Sequence, residues 1–178
     1  MLEIINRLDL NILDFIQSNL RNYFLDKLMI IITSLGNGGC FWIALMVVLL
    51  FTEKYRNVGI LAIIALILST IMGEVIIKNI VQRPRPFLAV TTINMLIAKP
   101  LTYSFPSGHA TVAFAVAGVL FEKFKKYGFI FIMLALLISF SRIYLFVHYP
   151  SDVIAGIALG LVCSKIVLYV SGKSKYRN

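Results

Sequence analysis

The chain has 178 residues and only two histidines, His109 and His148. His148 is followed four residues later by Asp152, and His109 closes the tetrapeptide Pro106-Ser107-Gly108-His109. Three cations, Lys78, Arg85 and Arg142, stand in or beside long apolar runs. Ionisable groups in such places are costly and suggest a site by default. Arginine and lysine neutralise phosphate oxygens. A carboxylate that accepts the Nδ1–H of His148 fixes the tautomer and raises the basicity of Nε2. Such an imidazole can attack phosphorus while a second histidine protonates the departing oxygen. A helix opening at Ser107-Gly108 adds free N–H groups and a positive dipole end, a seat for phosphate. Together these residues point to phosphoryl transfer through a covalent histidine.

Each stretch also has a plainer reading. Lys78 and Arg85 could snorkel at an interface. Ser107 could be an ordinary cap, and Asp152 a capping carboxylate near a surface histidine. Arg142 has no comparable structural reason to stand in an apolar run. Ser141 and His148, two helical turns apart, share one face and aim Arg142 into the bundle. Pro84 and Pro86 cannot continue a helix and hold Arg85 extended. Glu74 stands one turn before Lys78 on the same face, where it can pair with that lysine. The chain has no HxxxH motif and no carboxylate cluster, and Cys40 and Cys163 lack a CxxC partner, so no metal or cofactor is expected.

The elements that must hold these groups are helices in a bilayer. Apolar residues make up 60% of the chain and charged residues 14%, against about 45–50% and about 25% in soluble domains. The net charge of +9 lies between apolar runs, as membrane topology explains and nucleic-acid binding does not. Residues 1–20 are amphipathic and too charged to span, so they are expected to lie at the interface. Six apolar runs follow between residues 24 and 171: 24–35, 41–51, 58–80, 107–121, 127–147 and 152–170. The first two are short against the ~20 residues of a straight span. The expected fold is therefore all-α: a single-domain (1–178) integral-membrane six-helix bundle with an N-terminal amphipathic interfacial helix. Basic clusters at Lys54/Arg56, Lys123/Lys125/Lys126 and Lys173/Lys175/Arg177 mark the cytoplasmic side. In a six-span path both termini fall there. The Gln82–Phe105 loop and the His148–Asp152 turn then face outward, with Arg83, Arg85 and Lys99 as exceptions to the charge rule.

At these residues the sequence resembles the type-2 phosphatidic acid phosphatase superfamily, which includes vanadium haloperoxidases and glucose-6-phosphatase. The family pattern is K-x6-R-P, P-S-G-H and S-R-x5-H-x3-D. Here it stands as Lys78 to Arg85-Pro86, Pro106 to His109, and Ser141-Arg142 through His148 to Asp152, with every spacing matched. The resemblance implies that His148 is the nucleophile, Asp152 its orienting partner and His109 the acid for the leaving group. Lys78, Arg85, Ser107, Gly108 and Arg142 would form the phosphate pocket. Glu74 lies outside the pattern.

The resemblance further implies a multi-pass lipid phosphatase of the inner (plasma) membrane, with its site open to the outer leaflet. Undecaprenyl diphosphate is the first-choice substrate, ahead of phosphatidylglycerol phosphate, phosphatidic acid and lipid A 1-phosphate. The expected partners are the lipid phosphate and the bilayer. A haloperoxidase using the same pocket is disfavoured by the apolar spans. A transporter is disfavoured because no inverted repeat is visible.

Overall fold

A computed structural model describes residues 2–90 and 93–175, which form helices joined by short turns and one long loop, with no strand among the described residues. Arg177 of the basic tail lies outside them. Helix α1 (Leu2–Asn19) is followed by α2 (Tyr23–Gly36), a short 3-10 turn (Asn37–Gly39) and α3 (Cys40–Phe51). Helix α4 (Arg56–Thr70) runs through a π-helical stretch, Ile71–Ile77, into α5 (Lys78–Val81). A one-turn α6 (Pro86–Ala89) opens the long loop, and α7 (Gly108–Lys123), α8 (Gly128–Tyr144) and α9 (Pro150–Lys175) complete the chain.

The six-span expectation needs correction. Separately, α2 and α3 reach about 21 and 18 Å at 1.5 Å per residue, short of the ~30 Å hydrocarbon core. The structure runs them on as one 29-residue path, Tyr23–Phe51. The bend between them is made by Gly38 at φ 57° and Gly39 at φ 70°, a left-handed conformation glycine adopts without a Cβ clash. The start of the path touches the end of α8, where Tyr144 Oη donates to Asp26 at 2.7 Å. Its middle lies near Leu66 and Val112, and its end packs against Gly59 of α4. Among the described residues five rods therefore make up the bundle: α2–α3, α4–α5, α7, α8 and α9. Three of these stretches, Tyr23–Phe51, Glu53–Ala89 and Pro150–Gly172, are long and apolar enough to cross a membrane. With five rods the expectation of both termini at one end also fails. Helix α1 lies at the end that holds His148, and α9 finishes at the opposite end beside Lys54 and Lys123.

Helix α1 lies across that end of the bundle. Asp9, Leu13 and Ile16 recur at helical spacing on the buried side, and Ile4, Leu8, Ile12 and Phe15 recur on the exposed side. Gln17 Nε2 donates to Tyr144 O at 2.8 Å, tying the helix down near its C-terminus. Burying Leu13 and Ile16 contributes about 1.5–3 kcal/mol each.

Helix α7 is the centre of the bundle, with Ala110, Ala113, Ala115, Ala117, Val116, Val119 and Leu120 all buried. Small residues allow its close approach to α9. A Cβ at Gly160 would run into Thr111 O and the Ala115 amide, and one at Gly156 would lie 2.7 Å from Ser107 O. Such seams are how helices pack where no hydrophobic drive separates lipid from protein. The α8–α9 turn is equally tight. Val147 and His148 amides both donate to Arg142 O, at 3.2 and 3.3 Å, and Phe146 takes a positive φ of 60°. Pro150 is the first residue of α9, where its missing N–H costs nothing.

Candidate active site

The helix ends around α7 enclose a cavity of about 370 Å³ lined by Lys78, Arg85, Gly108, His109, Arg142 and His148, among others. Six of the eight residues singled out from the sequence thus face one space. The other two stand directly behind it: Ser107 precedes Gly108, and Asp152 backs His148.

Arg85 is held from both sides. Its backbone is extended at φ −80°, ψ 153°, as the flanking prolines require. Nε donates to Thr102 O at 2.6 Å, Nη2 to Thr102 Oγ1 at 3.1 Å, and Nη1 to Val147 O at 2.8 Å. Nη1 also stands 3.3 Å from His148 Nε2. A guanidinium can only donate, so this contact requires the lone pair of Nε2 and leaves the proton on Nδ1. His148 is 2% exposed, and its pKa is lowered to about 3, first by burial and then by Arg85 and Arg142. Near neutral pH the ring is therefore uncharged, with its basic nitrogen facing Arg85 and the cavity.

Asp152 is fully buried. Its Oδ2 accepts from Ser104 Oγ at 2.5 Å and from the Tyr149 amide at 3.0 Å. The second bond reaches back to the residue before α9, in the manner of a capping box. Oδ1 accepts from Arg83 Nη1 at 2.6 Å. The distance from Oδ2 to His148 Nδ1 is 3.7 Å. That is close enough for electrostatic support but beyond a hydrogen bond, so the direct bond expected from the spacing is not made. Ser104 Oγ, 3.4 Å from the same nitrogen, stands beside it. Ser141 and His148 do not share a helical face either. Helix α8 stops at Tyr144, and Ser141 Oγ is spent on Ile138 O at 2.6 Å.

Across the cavity, His109 lies in the first turn of α7 and is only half-buried. Its Nε2 is 3.0 Å from Asn37 Oδ1 in the α2–α3 bend. Gly36 makes room for the ring, since a Cβ there would sit 2.6 Å from His109 Cδ2. Lys78 is buried and paired with Glu74 at 2.5 Å. The lysine follows the π-helical stretch that contains Glu74, a local widening frequent at functional sites. The carboxylate of Glu74 lies so close to Gly108 that a Cβ there would strike it.

Arg142 Nη1 donates to Thr33 Oγ1 at 2.5 Å, while its Nε is buried with no hydrogen-bond partner. Ser107 Oγ is likewise buried and without a partner. Unmet buried donors are expensive, and two of them at an arginine-lined cavity suit an anion with several acceptor oxygens. Among the described residues no group of three or more His, Cys, Asp or Glu could hold a metal ion.

Sequence reasoning missed Asn37, Thr33, Arg83, Thr102 and Ser104. Asn37 had a visible signal, a Gly-Asn-Gly-Gly break between two runs each too short to span. Arg83 had another, as a cation where the outward loop should carry none.

Residues 57–176 match the PAP2 superfamily, and the chain belongs to that family of phosphatases. An undecaprenyl-diphosphatase of Sulfolobus acidocaldarius is 37% identical over 137 residues, covering 76% of this chain and 66% of the relative. The chain therefore spans just under two thirds of that relative's length. The crystal structure of Aquifex aeolicus LpxE superposes with a TM-score of 0.80 at 32% identity, covering 91% of this chain and 95% of the other. The transmembrane PAP2-type phosphatidylglycerolphosphate phosphatase of Bacillus subtilis gives 0.79 at 26% identity, covering 96% and 87%. The protein is an integral-membrane member of this family.

Proposed function

We propose that the protein removes the terminal phosphate from a lipid diphosphate, undecaprenyl diphosphate, at the outer leaflet, through a phosphohistidine and without a metal. The observation that carries this reading is the convergence of two histidines and three cations, from helices and the segments joining them, on one cavity. Arg85, Arg142, Lys78, Ser107 Oγ and the amides at the start of α7 take the phosphate oxygens. Lys78 trades its contact with Glu74 for one to phosphate. His148 Nε2 attacks phosphorus, forming the P–N bond as the P–O bond to the lipid breaks. His109, protonated beside the bound phosphate, gives its proton to the departing oxygen. Water then attacks the phosphohistidine, losing its proton to His109, and inorganic phosphate leaves. Asp152 supports the charge that develops on His148.

The basic clusters at the far end of the bundle support a cytoplasmic assignment for that end. The cavity and α1 then face outward, and the exposed row of Ile4, Leu8, Ile12 and Phe15 suits the lipid interface. The substrate preference rests on the named S. acidocaldarius relative. The B. subtilis neighbour favours phosphatidylglycerol phosphate as the second reading. Purified protein in detergent with EDTA, offered undecaprenyl diphosphate, phosphatidylglycerol phosphate, phosphatidic acid and lipid A, should release phosphate fastest from undecaprenyl diphosphate. Failure on every lipid, or restoration by a divalent ion alone, would overturn the mechanism.

A further inference from the structure

Helix α1 precedes the family match at residues 57–176, yet it holds the arginine that binds Asp152, the residue that backs His148. Asp9 is 3% exposed, a buried carboxylate on an otherwise amphipathic surface helix. Its Oδ2 pairs with Arg83 Nη2 at 2.8 Å and accepts from Ser151 Oγ at 2.5 Å, and its Oδ1 accepts from the Ser151 amide at 2.9 Å. Arg83 uses its other terminal nitrogen on Asp152 Oδ1 at 2.6 Å and on Ser151 Oγ at 2.8 Å. Asn6 Oδ1 adds a neutral acceptor at 2.8 Å. The guanidinium is also held 3.9 Å over the Tyr149 ring.

We propose that Asp9 is a positioning residue for catalysis, acting through Arg83 on the Asp152–His148 pair. The inference rests on the phosphohistidine reading above. Its physical basis is a charge balance. Arg83 alone would neutralise Asp152 and weaken its support for the cation that forms on His148. With Asp9 on the opposite edge of the guanidinium, the three groups sum to one negative charge, and Arg83 is shared rather than captured. Asp9 also fixes the guanidinium plane, so Asp152 keeps Oδ2 free for Ser104 and the side facing His148. The docking of α1 thereby becomes part of the site. The expected signature is a fall in the chemical step with phosphate binding preserved, because Asp9 touches no cavity-lining group.

The test uses the full chain in detergent, with undecaprenyl diphosphate as substrate and orthovanadate as the binding probe. Asp9→Asn should lower kcat about tenfold, a typical cost for a supporting partner, with KM and vanadate affinity within twofold of wild type. Arg83→Lys keeps the charge but cannot bridge two carboxylates. It should show the same split, and adding Asp9→Asn to it should cost no further kcat. Ile16→Val loosens the packing of α1 by a methylene and leaves Asp9 in place, so it should change melting temperature and not kcat. Full kcat in Asp9→Asn or in Arg83→Lys would overturn the proposal. So would multiplicative losses in the double variant, or a matching kcat loss in Ile16→Val. A wild-type protein without turnover would sink the phosphatase reading as well, whereas an active one indifferent to both relay variants sinks this inference alone.

Discussion

The two walls of the cavity are built differently. On the His148 wall every neighbour is pinned. Arg85 is tied to Thr102 and Val147, and Asp152 to Arg83, Ser104 and Tyr149, with the ring between them almost wholly buried. On the His109 wall the ring is half-buried and has one neutral partner, Asn37, held in a glycine-rich bend. In the proposed mechanism His148 is a nucleophile that must meet phosphorus along a fixed line, and rigid support suits that role. In the same mechanism His109 is a proton donor that follows a moving leaving group and then serves a water molecule, so a looser mount suits that role.

Breaking each wall should expose that contrast. The largest effect is expected for His148→Ala, which should lower kcat by about 10³-fold or more while orthovanadate still binds, as equilibrium binding of the anion will check. Arg142→Met removes the donor with an unmet Nε and should cost about 10²-fold, the scale of one lost transition-state donor; vanadate affinity should fall with it. His109→Asn should cost about 10²-fold on a lipid phosphate. On p-nitrophenyl phosphate the loss should be far smaller, because that leaving oxygen needs little protonation. An equal loss on both would remove His109 from the acid role. Asn37→Ala should cost only a few-fold, in line with about 1 kcal/mol for one hydrogen bond, read as kcat on the lipid substrate.

Acidity offers a further test of the His148 wall. The folded-state pKa of His148, about 3, lies below the ordinary histidine value near 6.5. Unfolding therefore takes up a proton below pH 6.5. The contribution of His148 to stability is complete above that pH and is lost progressively as pH falls from about 6.5 toward 3. Melting temperature in detergent should decline across this window, and the decline should shrink in His148→Gln. An unchanged slope in that variant would place the titrating group elsewhere.

What could be read from sequence was the chemistry-bearing set. Histidines, arginines and a lysine in an apolar chain are conspicuous because their residue types have few other reasons to be there. The structure gathers them around one cavity, though without the shared face and direct bond that their spacing implied. The path of the chain was less legible. Two short apolar runs around Gly-Asn-Gly-Gly look like two spans and a loop. Only the left-handed backbone at Gly38 and Gly39 shows that they continue one another, and that single difference moved the N-terminal helix to the site end. The turn after α8 hid in the same way, since helical periodicity carries no sign of where a helix stops. Asp9 was invisible, because a charged residue in an amphipathic helix reads as solvated until its partner, 74 positions away, is known.

The glycine seam between α7 and α9 has a consequence for the geometry of the site. His109 rides on one of those helices and Asp152 on the other, so their relative height is set by backbone touching backbone at Gly156 and Gly160. Gly160 lies two helical turns from Asp152, about 12 Å along the axis, and carries no chemistry. Even so, a single added methyl there would strike the α7 backbone and shift His109 against Asp152. The separation of His109 and Asp152 is thus gauged within the helix packing, like the spacer that sets the gap of a spark plug.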